Sequence, residues 1–448
     1  MDVTLNRSRL QEVAEVLKHL GEKHSGSPIS DKVLVRSEPG KVSLTATNGE
    51  VDVMYYASLP DSSGAVGPFL APLATLTELA EGQDGPVQVS GEPEEAAVME
   101  KYPVFDTTLP KRRHFADWPA LRGHLRNAGI VVASGPDRYS INRICLSKTS
   151  VVGTDGRQLY AGNNLSLPLR KGQEWLIAPS KIFASKTLSN YLKVVLVRED
   201  VGMVFRFGEN WMVRIHRQEG RFPRWQESVP RLKEARAKLI IPETAAVDMP
   251  ERLRQLLDEA NAETSLCLRL GAKNTLAAVD VEGKEIRSME LDGCSRTGEE
   301  MSLIFDPKYF IQSLKLGFLT LHGFAPNRPI IAARGSDIYL WMPIFDETAA
   351  IPNAQGPGNG GHQNGQQDPA PFVRRRGRRK TLEVKPKAPQ SLSDIAAELD
   401  AIRNGFGDLS RRIDTVQAFI RAQGIEIEKR EKAVHHALGA LKQLQVSA

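Results

Sequence analysis

A diverged internal repeat constrains the fold of this chain more than any other feature of its sequence. Three segments read as a strand, a polar turn and a second strand, and each is followed by an apolar residue, a proline and a helical stretch. The turn residues Asn48 and Asp155 are 107 residues apart, and so are the prolines Pro72 and Pro179. Two markers that keep one spacing indicate repeated structural units.

The third copy has its turn at Asp280 and its proline at Pro307. A proline in the first turn of a helix is favourable because its missing N–H would have no helical partner there. Each copy also opens with a predicted amphipathic helix: one capped by Asn6, one starting at Pro119 and one with Pro250 near its start. The sequence therefore predicts an α+β fold of three similar domains in tandem, at residues 1–113, 114–241 and 242–348.

The composition changes at about residue 349. Residues 350–373 are rich in Gly, Pro, Asn and Gln, and RRRGRRK follows at 374–380. A segment of this composition buries too little apolar surface to fold, so residues 349–390 are predicted to be a basic disordered linker. From residue 350 onward there are 16 Lys and Arg against 10 Asp and Glu, whereas residues 1–349 have 43 against 44. The excess of positive charge thus belongs to the tail. Residues 1–349 therefore do not form a uniformly basic surface for binding nucleic acid.

A heptad pattern occupies residues 391–446. All eight a positions are apolar, and so are six of the eight d positions; the two polar ones fall beside Gly424. This pattern predicts a coiled coil with a break near residues 423–430. Two interpretations remain open: self-association or pairing with a helical partner, and an amphipathic helix docked on the chain's own globular part. The a positions are Leu392, Leu399, Phe406, Ile413, Ile420, Ile427, Val434 and Leu441.

Patterns typical of enzymes are weak. The sequence has no phosphate-binding GxxxxGK[ST] loop and no CxxC or HExxH motif, so it predicts neither a metal site nor a cofactor. The spacing of Gly356, Gly358 and Gly361 matches GxGxxG, but it lies in the low-complexity linker. Asp155, read alone, could be a catalytic acid, although Asp followed by Gly156 favours a hairpin turn. We therefore expect a non-catalytic protein.

The chain is also expected to be cytoplasmic. Its three cysteines are too few for a disulfide framework, and Cys145 in an apolar stretch is predicted to be buried and structural. The N-terminus has no apolar leader, and no 18-residue apolar run suits a membrane span.

Several stretches, in order, resemble the β sliding clamp of bacterial DNA polymerase III. DRYSINRICLSKTSVVGTDGRQLYAG at 137–162 is similar to the family's second-domain segment with its TDG turn. EGRFPRWQESVP at 219–230 resembles its G-x-F-P-x-Y pattern, and FDPKYFIQSL at 305–314 with IYLWMPI at 338–344 resembles its last helix and strand. KVSLTATNGEVDV also resembles its first domain. The similarity covers about residues 1–345.

The resemblance implies a ring of two head-to-tail chains with helices lining a hole around duplex DNA and sheets outside. Lining charges would contact phosphates without reading sequence. Arg138 and Tyr139 match the family's DNA-touching loop. The other basic candidates lie on or beside the predicted helices, where a solvated helix face is the alternative reading: Arg9, Lys18, Lys23, Arg122, Arg126, Lys181, Lys186, Arg252, Arg254 and Lys315.

The resemblance also implies a pocket between the second and third domains, in which polymerase and clamp-loader subunits insert a short apolar motif. Asp306 would be at its rim, and ordinary core is the alternative reading for its walls. Carried over to this chain, the walls are Ile141, Thr154, Gly156, Arg157, Gln158, Leu159, Tyr309, Leu340, Trp341, Met342, Pro343 and Ile344.

Two departures from the family bear on function. Arg157-Gln158 replaces the usual His-Arg after the TDG turn, and the chain continues for about a hundred residues past the last family strand. We expect a processivity clamp in DNA replication or repair, which binds DNA by encirclement, partners by the pocket and a second copy of itself. The alternative is a clamp-fold scaffold that acts through its basic tail and coiled coil without loading on DNA.

Overall fold

The computed structural model describes residues 1–20, 31–59, 67–93, 96–108, 113–135, 140–257 and 264–344. These residues belong to one compact unit within Met1–Val373. A second unit, Arg374–Ala448, lies outside the described residues. The basic run and the coiled coil at 391–446 therefore stay predictions.

The described residues form three successive α+β repeats, which confirms the predicted fold class. Repeat 1 has helices α1 (Arg7–Leu17) and α2 (Leu73–Ala80), followed by the short α3 (Ala96–Met99). Its strands are β1 (Asp2–Asn6), β2 (Lys32–Glu38), β3 (Lys41–Thr47), β4 (Val51–Ser58), β5 (Phe69–Pro72) and β6 (Pro86–Ser90).

Repeat 2 has helix α4 (Trp118–Val131), a 3₁₀ turn at Lys181–Ala184 and the short helix α5 (Lys186–Ser189). Its strands are β7 (His114–Asp117), β8 (Ile144–Leu146), β9 (Val151–Thr154), β10 (Gln158–Gly162), β11 (Trp175–Ile177), β12 (Lys193–Arg198), β13 (Gly202–Phe207) and β14 (Trp211–Gln218).

Repeat 3 has helices α6 (Glu243–Leu257) and α7 (Pro307–Lys315). Its strands are β15 (Ala237–Ile240), β16 (Ser265–Leu270), β17 (Thr275–Val279), β18 (Glu285–Glu290), β19 (Ser295–Gly298), β20 (Met301–Phe305), β21 (Thr320–Gly323), β22 (Ile330–Arg334) and β23 (Asp337–Trp341). Because β15 pairs with β19 and β21, Ala237–Ile240 belongs to repeat 3, and the expected boundary at 241 is a few residues late.

Repeats 2 and 3 share one sheet pattern. In repeat 2 the strands pair in the orders β7–β12–β13–β14 and β10–β9–β8–β11, and repeat 3 pairs β15–β21–β22–β23 and β18–β17–β16–β20. Helices pack in pairs, α1 with α2 and α6 with α7, while α4 packs with the 3₁₀ turn. One large apolar core lies between helices and sheets.

The three polar turns are built alike. Asn48 Oδ1 accepts from the N–H groups of Glu50 and Val51, at 3.1 and 2.8 Å. Asp155 Oδ1 accepts from Arg157 and Gln158, at 2.8 and 2.9 Å, and Asp280 closes its own turn in the same way. A short Asn or Asp side chain that bonds the backbone two or three residues on mimics a turn. The expected turn role of Asp155 is therefore confirmed.

Several helix boundaries differ from the sequence prediction. Asn6 caps α1 as expected, with its Oδ1 accepting from Ser8 N at 3.0 Å. Pro307 lies in the first turn of α7, but Pro72 is the cap residue of α2 and Pro179 precedes the 3₁₀ turn. Pro250 lies inside α6 rather than near its start, because α6 begins at Glu243. Met249, Leu253 and Leu256 of α6 are buried around Pro250, so packing offsets the lost helical hydrogen bond.

Consecutive repeats are joined by antiparallel strand pairing. Strand β4 of repeat 1 pairs with β14 of repeat 2, and β10 of repeat 2 pairs with β23 of repeat 3. A carboxylate strengthens the first junction: Glu15 on α1 accepts from Ser185 Oγ at 2.6 Å and from the N–H groups of Lys186 and Thr187 at 2.9 and 3.1 Å. Burial alone would raise the pKa of Glu15, but these hydrogen bonds outweigh it and lower the pKa to about 2.

Candidate partner pocket and DNA-facing helices

Strand pairing between repeats 2 and 3 brings the two halves of the predicted pocket together. Gln158 lies opposite Trp341, and Leu159 lies opposite Leu340. The Met342 N–H then donates to the Arg157 carbonyl oxygen at 2.9 Å. Residues that are far apart in sequence thus become neighbours along one strand pair.

The turn that leads into β10 is rigid. Thr154 Oγ1 donates to the Gln158 carbonyl oxygen at 2.6 Å and accepts from Gly156 N at 3.0 Å. Gly156 has a φ of +87°, which only glycine adopts at low cost, and a Cβ placed there would lie 3.7 Å from Ile141 Cδ1. Ile141 and the turn therefore form one wall of the site.

Gln158 has a positioning role. Its Oε1 accepts from Tyr339 Oη at 2.6 Å, and its Nε2 donates to Asp155 Oδ2 at 3.0 Å. Tyr339 is fully buried, and this burial raises the pKa of its hydroxyl. The amide therefore ties the Asp155 turn to β23, across the junction between repeats 2 and 3.

The expected pocket residues Leu159 and Leu340 belong to a small apolar cluster that is separate from the main core. Leu159 and Leu340 are each 5% exposed there, and Phe222 packs with them. Trp225 and Val229, which follow Phe222 on the segment at 219–236, flank this cluster. The sequence of this segment resembles a family pattern, but Phe222 and Val229 were not among the residues expected to line the pocket. The spacing of Phe222, Trp225 and Val229 within GRFPRWQESV was the sequence pattern that could have predicted an apolar face on this segment.

Two expected pocket residues face the core. Trp341 is fully buried, with its ring centroid 5.8 Å from that of Phe305 and 5.5 Å from that of Tyr339. Successive side chains of a strand point to opposite faces, so Trp341 lies on the other side of β23 from Leu340. The prediction that Trp341 lines the pocket is therefore wrong. Tyr309 is also buried in the core on α7, at 4% exposure.

The partly exposed pocket residues surround Leu159 and Leu340. Thr154 is buried, whereas Gly156 and Arg157 are exposed at the turn. Asp306, at the expected rim, caps α7 through Lys308 N at 3.1 Å. The expected pocket residues that are half-exposed are Ile141, Gln158, Met342, Pro343 and Ile344.

The residues expected to face DNA differ in their exposure. Lys23, Arg138 and Tyr139 lie outside the described residues. Arg122 on α4 is half-buried, and its Nε donates to the Phe183 carbonyl oxygen at 2.7 Å. Burial, and then the charge of Arg126, lower the pKa of Arg122. Arg122 therefore joins α4 to the 3₁₀ turn, while Arg126, Lys181 and Lys186 are exposed.

The other helices carry positive charge that is largely balanced. Arg9 lies 3.9 Å from Glu12, and Lys18 lies 4.0 Å from Glu15. On α6, Arg254 pairs with Glu251 at 2.7 Å, and Arg252 approaches Asp292 at 3.4 Å. On repeat 2, Arg126, Lys181 and Lys186 are exposed on the helical segments, and Lys315 on α7 is exposed as well.

Other kinds of site find no support in the described part of the chain. Cys145 on β8 is buried as expected, and burial raises the pKa of its thiol. Within the described residues there is no group of three His, Cys, Asp or Glu side chains placed to hold a metal ion. No helix there has the length and apolar character to cross a membrane.

The architecture matches that of solved bacterial sliding clamps. The β sliding clamp of C. crescentus superposes with a TM-score of 0.64 at 18% identity, over 77% of this chain and 99% of that one. DNA polymerase III β subunits of Pseudomonas aeruginosa and Thermotoga maritima give 0.62 at 17% and 14% identity, with the same coverage of both chains. No family model and no curated protein matches the sequence.

These likenesses show the fold. The described chain has the three-repeat fold of the DNA polymerase III β sliding clamps, and this confirms the resemblance seen in its sequence. At such low identity the neighbours say nothing of individual side chains. The roles of this chain's residues rest on its own geometry.

Proposed function

We propose that this protein is a non-catalytic DNA clamp that encircles duplex DNA and confers processivity on a bacterial DNA polymerase. The observation that carries the proposal is the clamp fold itself: helices pack in pairs in repeats 1 and 3, α4 packs on a 3₁₀ turn in repeat 2, and the repeats are joined strand to strand. A ring holds DNA topologically, so it needs a mildly basic lining and not a basic coat. The near-zero charge of residues 1–349 fits such a protein.

Repeat 2 supplies the main phosphate contacts in this proposal. Arg126, Lys181 and Lys186 are exposed on its helices, and Lys and Arg side chains that neutralise phosphates release counterions. Such contacts position a protein on the duplex without reading its sequence. Lys23, Arg138 and Tyr139 are proposed to add to this surface, while Arg122 acts mainly through its bond to Phe183.

Encirclement can be tested with linear DNA that is ligated into a circle in the presence of the full-length protein. We expect chains that have threaded onto an end to be trapped on the circle, to survive a wash at high salt and to be released by one cut. High salt screens phosphate contacts, so retention there reports topology. Equal loss from circular and linear DNA at high salt would contradict the proposal.

Charge-reversal variants test whether the exposed basic residues of repeat 2 contact DNA. Arg126→Glu with Lys186→Glu should weaken binding to short DNA at low salt. Arg224→Glu with Arg231→Glu makes the same change in net charge on the segment at 219–236, which covers the opposite face of the sheet. This second pair should have a clearly smaller effect.

We also propose that the cleft between repeats 2 and 3 binds an extended apolar peptide of polymerase or clamp-loader subunits. Leu159 and Leu340 would form its floor, and the flexible Met342 could adapt to varied Leu or Phe side chains. Gln158 holds the cleft in shape through Tyr339. Because Gln158 is so engaged, the peptide would be held mainly by apolar contact.

A labelled peptide of the QLxLF type tests this cleft by fluorescence anisotropy. Met342→Ala is expected to weaken its binding about tenfold, since each ~1.4 kcal/mol of lost apolar contact corresponds to that factor. The matched control is Trp341→Phe, one residue away but facing the core, which should leave the affinity unchanged. Absence of peptide binding would contradict the partner cleft. It would favour the alternative function, a scaffold that acts through the basic tail and the coiled coil.

A further inference from the structure

One cross-strand pair recurs at the same place in each repeat. It joins the second strand to the strand that leads into the second helical segment. The residues before and after each of its members lie in the main core, so by strand alternation the pair itself points away from that core. The three pairs are Leu34 with Leu70, Cys145 with Leu176, and Cys267 with Ile304.

The chain returns to this pair at the end of each repeat. The second member of the pair is bonded to Glu92 just past β6, to Gln218 at the end of β14, and to Ile344 just past β23. The first and the last of these contacts are hydrogen bonds from an N–H to a carbonyl oxygen, at 3.3 and 2.6 Å. The segment that follows therefore starts beside the same pair in every repeat.

In repeats 1 and 2 that following segment covers the pair with an aromatic ring. Tyr102 packs on the pair of repeat 1, and Phe222 packs on the pair of repeat 2. Leu70 and Leu176, the second members of these pairs, are 5% and 2% exposed. Two repeats thus use the chain that leaves them to bury the same position.

The pair of repeat 3 has no aromatic cover among the described residues. Cys267 and Ile304 form a small cluster with Ala277 and Val279, to which no described residue beyond β23 belongs. Ile304 is half-exposed, unlike its counterparts in the other two repeats. This face therefore still exposes apolar surface, whose removal from water is favourable.

The sequence that begins at Phe345 has the residues to fill this position. It reads FDETAAIP over 345–352, and it places Phe345 directly after the residue that is bonded to Ile304. Ile351 adds a second apolar side chain, which is followed by a proline. The covering segments of repeats 1 and 2 also have a proline directly after the covering ring.

We propose that residues 345–352 lie across the cluster of Cys267 and Ile304 and cover it, with Phe345 in the position that Tyr102 and Phe222 occupy in the other repeats. The first residues of the C-terminal extension then belong to the globular body and fix the point from which the rest of the extension departs. They also hold residues 342–344, which line the proposed cleft, from their far side. This contact does not depend on the proposed clamp function.

Alkylation of Cys267 in the full-length protein tests the proposed cover. A thiol reacts as its exposed thiolate, and Cys145 and Cys267 are both buried, so the rate at each reports how often its face is uncovered. Cys294, which is half-exposed, is first replaced by serine. Phe345→Ala with Ile351→Ala should then accelerate the reaction of Cys267 with N-ethylmaleimide about tenfold, because local opening costs less, while Cys145 reacts as before.

Three control variants match this change. Phe222→Ala should uncover Cys145 and leave Cys267 protected. Phe345→Leu, which keeps an apolar side chain, should also leave Cys267 protected. Asn353→Ala, just past the segment, should change neither rate.

Three results would overturn the proposal. An unchanged Cys267 rate in the double variant, while Phe222→Ala uncovers Cys145, would show that another group covers this face, such as the ion pair between Arg269 and Glu285. Equal acceleration at both cysteines would show that the double variant loosens the whole molecule and that residues 345–352 are not a local cover. Protection of Cys267 that decreases on dilution would assign the covering segment to a second copy of the chain.

Discussion

Replacing Arg214 with methionine is expected to lower the free energy of the first unfolding transition by about 3–5 kcal/mol, the usual cost of breaking a buried ion pair from one side. Arg214 Nη1 lies 3.2 Å from Asp52 Oδ2, and its Nε lies 2.8 Å from Glu199 Oε2. Asp52 is 2% exposed, so the substitution would leave a carboxylate buried without its guanidinium. The measurement is urea unfolding followed by fluorescence.

Arg214 holds three parts of the molecule together. It lies on β14 opposite Asp52 on β4, at the junction of repeats 1 and 2. Its Nη2 donates to the Val104 carbonyl oxygen at 2.8 Å, and its guanidinium lies 4.5 Å from the centre of the Phe105 ring. We therefore also expect Arg214→Met to make the segment at 96–108 more sensitive to protease.

Arg206→Met is the matched control for Arg214→Met. Arg206 is equally buried, but its hydrogen bonds within the described residues go to backbone carbonyl oxygens, those of Thr107 and Thr108, at 2.7 and 2.5 Å. Its loss should cost about 1–2 kcal/mol. Adding Asp52→Asn to Arg214→Met should recover part of the stability, because the two groups interact directly. Equal effects of Arg214→Met and Arg206→Met would show that the ion pair contributes little.

Gly153→Ala is expected to destabilise repeat 2 by about 1–3 kcal/mol, the usual range for overpacking. Gly153 lies on β9, directly beneath α4, and a Cβ placed there would overlap the Ala128 carbonyl oxygen. That atom belongs to the backbone of α4, so the helix itself would have to move away from the sheet. The same helix carries Arg126, and low-salt DNA binding should therefore weaken as well.

Gly123→Ala is the matched control on the same helix. A Cβ at Gly123 meets no heavy atom within 4 Å, so nothing opposes it. Alanine is favoured over glycine inside a helix by about 0.5–1 kcal/mol, and the thermal unfolding midpoint should rise. A stability loss at Gly123 as large as that at Gly153 would show that close approach of α4 to β9 is not the cause.

Features that depend on near neighbours could be predicted from the amino-acid sequence. Asn48, Asp155 and Asp280 close their turns with hydrogen bonds two to four residues away, and Asn6 caps α1 two residues on. Such contacts can be read from residue type and spacing alone. The regular spacing of these turns indicated three repeats, and the resemblance of several stretches to the sliding-clamp family implied the clamp fold.

The tertiary structure decided which strand edges meet. The pairing of β10 with β23 joins residues that no local pattern connects, and it fixes which of Leu340 and Trp341 faces the main core and which faces the proposed cleft. Which strands pair depends on how segments that are distant in sequence pack against the shared core. Turns and helix caps, in contrast, depend on residues only a few positions away.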